Sequence, residues 1–126
     1  MALPSTSVVE GQASPCASLE RPIDLVHLSR MTLGDRGLER EVLALFDRQA
    51  TVLVSRMRSA SPGSVNAVAH TLKGSARGVG AWRVAAAAEA VEVAASSEGD
   101  LSAAITRLAA VAEEARAVIA ELLRAN

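Results

Sequence analysis

Four long stretches of this chain repeat apolar residues at intervals of three and four, the spacing that gathers side chains on one face of an α-helix. Leu38, Val42, Leu45, Phe46, Leu53, Met57 and Ala60 form the first stripe, and Val65, Val68, Ala69, Leu72, Ala76 and Val79 the second. Val84, Ala88, Val91 and Ala95 form a narrow third, and Leu101, Ile105, Leu108, Ala112, Ala115, Ile119 and Leu122 a fourth. No strand alternation or internal repeat interrupts them. The breaks between stripes are short and rich in turn formers: Ala60-Ser61-Pro62-Gly63, Gly80-Ala81 and Ser96-Ser97-Glu98-Gly99-Asp100. The expected fold is therefore all-α, an antiparallel up-down four-helix bundle.

A shorter run from Leu25 to Met31 follows a capping Asp24 and predicts a short additional N-terminal helix, placed as a lid at one end. His27 in that run reads as a surface or partly packed histidine, because no second ligand stands at metal-binding spacing. Thr32-Leu33-Gly34-Asp35 ends the run, and Asp35 can cap a first long helix of roughly 25 residues, about 37 Å. Pro62 suits the first position of the second long helix and Gly80 its C-terminal cap. Asp100 or Ser102 can cap the last.

The core built by these stripes is aliphatic. Half of the 126 residues are hydrophobic, yet only Phe46 and Trp82 are aromatic, so Ala, Val, Leu and Ile must fill it. The length is that of one domain. Residues 1–22 lack periodicity and read as a flexible N-terminal tail, which leaves 23–126 for the bundle. Thirteen basic residues against fourteen acidic ones give a net charge of −1, no field that would gather nucleic acid or an anionic membrane. Cys16 is the only cysteine, which excludes an intramolecular disulfide and a thiolate metal site. No apolar run approaches the ~18 residues of a membrane span and no signal-like leader is present, so the expected location is cytoplasmic.

One helix carries a second, polar face. With His70 as origin on a helical wheel, Asn66 and Lys73 fall about 40 to 60° to one side, Arg77 about 20° to that side, and Gly74 about 40° to the other. This face lies opposite the apolar stripe. A glycine inside a helix costs roughly 0.5 to 1 kcal/mol relative to alanine, so Gly74 and Gly78 call for a reason. Close approach of another molecule is one; a GxxxG-like packing site between helices is the other.

The run Ala69-His70-Thr71-Leu72-Lys73-Gly74-Ser75, with Gly80-Ala81 ten residues beyond the histidine, resembles the histidine phosphotransfer (HPt) domain of two-component phosphorelays. Ala69 through Ala81 follow that pattern without a gap, and the helices around it fit the family from about Ile23 onward. The resemblance implies that His70 is the phosphoacceptor, through Nε2, with Lys73 offsetting phosphoryl charge as a mobile cation. It implies that Glu92, twenty-two residues after the histidine, hydrogen-bonds Nδ1, whereas Glu89 lies further from the stripe and is solvated. Gly74, Arg77 and Gly78 then form the partner-binding face, and Ser75 is a small packing residue.

A phosphoryl acceptor needs a nucleophile with a free lone pair, nearby positive charge and room for an in-line donor. An imidazole is largely neutral near pH 7 and can supply the lone pair. The expected protein is a stand-alone, monomeric phosphocarrier that relays phosphoryl groups between receiver-domain aspartates, with response-regulator receivers as partners and a hybrid histidine kinase as a further candidate. It needs no cofactor or metal of its own. Magnesium is expected only on the receiver, and the absence of a phosphate-cradling glycine loop argues against self-phosphorylation from ATP. Two other classes remain open on the sequence: an interaction module that binds a receiver or kinase without carrying phosphate, and a kinase-dimerisation-like helical domain.

Overall fold

A computed structural model describes residues 21–125, and these form five helices with no strand among them. They are α1 (Leu25–Met31), α2 (Arg36–Ser59), α3 (Pro62–Val79), α4 (Trp82–Ala95) and α5 (Leu101–Arg124). Of the segment expected as a tail, residues 1–20 lie outside the described residues, and with them Cys16.

Local chemistry sets the helix starts. Asp24, Asp35 and Asp100 each stand in extended conformation before a helix and accept a backbone N–H three residues on, from His27, Leu38 and Ala103 at 3.0 to 3.1 Å. Each such cap satisfies one of the orphan donors of a first turn. Of the two residues expected to cap the last helix, Asp100 holds the position. Pro62 opens α3 at its first turn, where its missing N–H matters least. The α1–α2 corner turns through Leu33 and Gly34, both at positive φ, and the buried Thr32 hydroxyl donates to the Leu28 carbonyl at 2.9 Å.

Most of each expected stripe on α3 and α4 is buried, Val65, Ala69, Leu72, Ala76 and Val79 on one and Val84, Ala88 and Val91 on the other, whereas Val68 and Ala95 at their margins are only partly covered. From α5, Leu108, Val111, Ala112, Ala115 and Ile119 join them. On α2 the seam differs from the expected one. Leu43, Phe46, Ala50, Leu53 and Met57 are buried, whereas Leu38 and Leu45 are exposed. At 100° per residue the five buried positions fall within about one quarter of the wheel, and Leu38 and Leu45 lie well to the side of it. The composition of α2 offers more leucine and valine than one seam can bury, so the register was ambiguous in sequence.

Ion pairs lace the outside of the bundle. Arg116 Nε of α5 donates to Asp47 Oδ1 of α2 at 2.6 Å, and Arg83 of α4 meets Glu114 of α5 at 2.9 Å. The carboxylate of Asp47 raises the pKa of Arg116, against the opposing effect of burial.

Two residues, Gly80 and Ala81, join α3 to α4. Gly80 takes the left-handed conformation at φ 81°, and its carbonyl accepts the Asp24 N–H at 2.9 Å. A Cβ at Gly80 would stand 2.9 Å from the Asp24 carbonyl oxygen, so glycine is demanded twice, by backbone sign and by space. Asp24 also accepts the Trp82 indole N–H at 2.9 Å, and the His27 ring meets the Trp82 ring edge-on at 4.8 Å. These contacts dock α1 on the α3–α4 corner, the lid position expected for it.

Candidate functional site

His70 lies in the middle of α3, and its side chain is 71% exposed. The buried stripe runs behind it, with Ala69 and Leu72 fully enclosed, so the polar face of the same helix must look outward. Across the α3–α4 groove, Glu92 approaches from α4. Its Oε2 lies 2.8 Å from His70 Nδ1 and its Oε1 lies 2.7 Å from Lys73 Nζ. One carboxylate thus engages both polar side chains that α3 presents one turn apart. Glu92 is only 16% exposed and Lys73 15%, so the pair sits in the groove while the imidazole stands above it.

The hydrogen bond to a carboxylate favours the tautomer with the proton on Nδ1, because an ionised carboxylate can only accept. Nε2 is then the ring nitrogen with the free lone pair. Burial works to raise the Glu92 pKa, but the contacts and charges of Lys73 and His70 outweigh it and the value is lowered. Glu92 is therefore ionised at neutral pH.

Space around the imidazole is open. A Cβ built on Gly74 or on Gly78 meets no atom within 4 Å. No neighbouring helix presses on either glycine, which removes the reading of Gly74 and Gly78 as a close-packing site. Arg77 extends the face by one turn and pairs loosely with Glu89 of α4 at 3.6 Å, both half exposed.

The sequence-derived residues His70, Lys73 and Glu92 thus come together, with Gly74, Arg77 and Gly78 on the adjoining surface of α3. What sequence reasoning missed is the partner of Lys73. It was expected as a mobile cation near the phosphoryl position, and in the structure its ammonium is drawn down to Glu92. No local signal marks that pairing, which depends on how α3 and α4 rotate against each other. Among the described residues no group of three or more His, Cys, Asp or Glu side chains is placed to hold a metal ion, and no helix is long and apolar enough to cross a membrane.

Fold and site together define a class: a helical bundle that exposes one histidine, braced from the neighbouring helix, on a face lined with glycine. Comparison with known families gives a match to the Hpt domain over residues 40–124, more than half of the chain, and the chain belongs to that family. No curated protein and no solved structure gives a match. Hpt domains are phosphocarrier modules of two-component signalling, act by histidine phosphotransfer and interact with response-regulator receiver domains. The matched region begins within α2, so α1 lies before it.

Proposed function

We propose that this protein is a stand-alone, cytoplasmic relay in which His70 accepts a phosphoryl group from the aspartate of one receiver domain and passes it to another. The observation that carries the reading is the asymmetry of the imidazole: Nδ1 is tied to Glu92 at 2.8 Å while the other edge of the ring faces solvent beside a glycine with no neighbour. In the forward step the Nε2 lone pair attacks phosphorus, and the bond from phosphorus to the aspartyl oxygen breaks with its electron pair leaving on the carboxylate. Glu92 holds the ring in the reactive tautomer. Lys73 lies one turn along α3, where its ammonium can offset phosphoryl charge on release from Glu92. Gly74 and Gly78 leave room for the receiver surface to close, and Arg77 offers it a positive edge. The receiver brings the magnesium and the acidic pocket, and this chain contributes neither ATP chemistry nor a metal. It works as a monomer, and a hybrid kinase's receiver is a suitable donor.

The test is incubation of the full chain with a phosphorylated receiver. Label should appear on His70 as acid-labile, alkali-stable phosphate, and His70→Gln should abolish it while circular dichroism and melting temperature stay near wild type. An exposed substitution of this kind is usually worth within about 0.5 kcal/mol. Receiver binding without labelling would instead support a pure interaction module.

A further inference from the structure

We infer that the negative charge of Glu92, beyond its hydrogen bond, keeps the Nδ1 proton on His70 after Nε2 has been phosphorylated, and thereby holds the phosphohistidine in its readily transferred form. This rests on the reading of His70 as the phosphoacceptor. In the tautomer favoured by Glu92, Nε2 carries no proton to lose. Formation of the N–P bond therefore leaves the ring cationic, with Nδ1–H directed at Oε2 from 2.8 Å. In the onward step the N–P bond breaks and its electron pair returns to Nε2. If the Nδ1 proton is still present, the leaving group is neutral imidazole. If it has been lost, the leaving group is imidazolate, a far stronger base and a far poorer leaving group. The proton on the nitrogen that does not react thus decides whether the phosphoryl group moves.

The charges around the ring decide where that proton resides. From α4, Glu92 favours the cationic ring and is itself kept ionised by its contacts with Lys73 and His70. From α3, Lys73 opposes a cationic ring, but its ammonium is 2.7 Å from Oε1 of the same carboxylate. Arg77 and Glu89 stand one turn further on and face each other at 3.6 Å. Among the described residues α2 contributes no ion pair to this cluster. A glutamine at position 92 would keep an acceptor for Nδ1–H while removing the charge, and would leave Lys73 without its counter-charge. Both changes weaken the hold of the phosphorylated ring on its proton.

The experiment phosphorylates the full chain directly with potassium phosphoramidate, which needs no receiver, removes the reagent, and follows phosphate loss from His70 across a pH series. Peptide mapping separates His70 from His27, the only other histidine. The expected result is that Glu92→Gln moves the midpoint of the pH profile toward acid by about half to one unit, which lengthens the phosphohistidine lifetime roughly three- to tenfold above that midpoint. Lys73→Met, which removes the opposing cation and leaves the carboxylate, should move it the other way. Nitrogen chemical shifts of the phosphorylated ring report the proton directly and should follow the same order. A Glu92→Gln profile that superimposes on wild type, with the Nδ1–H hydrogen bond retained, overturns the inference and leaves the phosphoacceptor reading standing. Failure of His70 to accept phosphate from both phosphoramidate and a phosphorylated receiver overturns that reading itself.

Discussion

At the scale of single residues, the site consists of one imidazole, one carboxylate, one ammonium and a missing side chain. The missing side chain gives a test that separates partner contact from packing. Gly74→Gln should leave the melting temperature within a few degrees of wild type, because nothing within 4 Å obstructs a Cβ there and glutamine is a better helix former than glycine. Transfer from a receiver should nevertheless fall sharply, while phosphorylation by phosphoramidate should be spared. A second test uses acid. The Glu92 carboxyl has a lowered pKa in the fold, so its contribution to stability is fully present above its unfolded value, about 4.3, and is lost as pH falls through the lower folded value. Urea titrations in that acid window should show wild type losing more stability than Glu92→Gln, by a small margin because the pair is partly solvated. His70, Lys73 and Gly74 were legible from a local pattern on one helix. Glu92 was legible only through the resemblance and a boundary position on its own stripe. The Lys73–Glu92 pairing was not legible, because two residues nineteen apart meet only once the packing angle of two helices is known.

At the scale of elements, α1 is the piece with least of its own to hold it. It is seven residues long, buries only Leu28 among its own side chains, and leaves Leu25, Val26 and Met31 exposed. Its attachment runs through Asp24 to Gly80 and Trp82. Gly80→Ala should therefore act on two elements together, since it asks alanine for positive φ and drives a Cβ against the Asp24 carbonyl. A loss of about 1 to 3 kcal/mol is expected. The fluorescence of Trp82, the only tryptophan, should report α1 loosening in the same variant. Helix caps and breaks were readable because they are local chemistry: Asp24, Asp35, Asp100, Pro62 and Gly80 each act within a few residues. The register of α2 was not, because Leu38 and Leu45 are as apolar as Leu43 and only the neighbouring helices choose between them.

At the scale of the whole molecule, a core almost without aromatics is assembled from small side chains, and its few large ones carry much of the burial. Leu72 is fully enclosed on the back of the helix that presents His70. Leu72→Ala should cost about 2 to 5 kcal/mol by equilibrium unfolding, and more toward the upper end if the surrounding alanines and valines cannot close the space. The bundle topology was readable from four stripes and three short connections. The interhelical pairs Asp47–Arg116 and Arg83–Glu114 were not, since the first joins helices far apart in sequence and the second depends on how two consecutive helices rotate against each other.

The two-residue link at Gly80-Ala81 also acts as a ruler. His70 stands ten residues before Gly80 and Glu92 ten residues after Trp82, so the two arms of the α3–α4 hairpin measure out equal lengths of about 15 Å from a common corner. One residue inserted in α4 between the corner and Glu92 would carry the carboxylate about 100° around its helix and leave the imidazole without its brace. A matching insertion in α3 between His70 and Gly80 would restore the distance along the hairpin and still leave both side chains turned away from the groove. The spacing of the pair is thus held by length and by rotation at once, and such a segment can exchange side chains far more readily than it can gain or lose a residue.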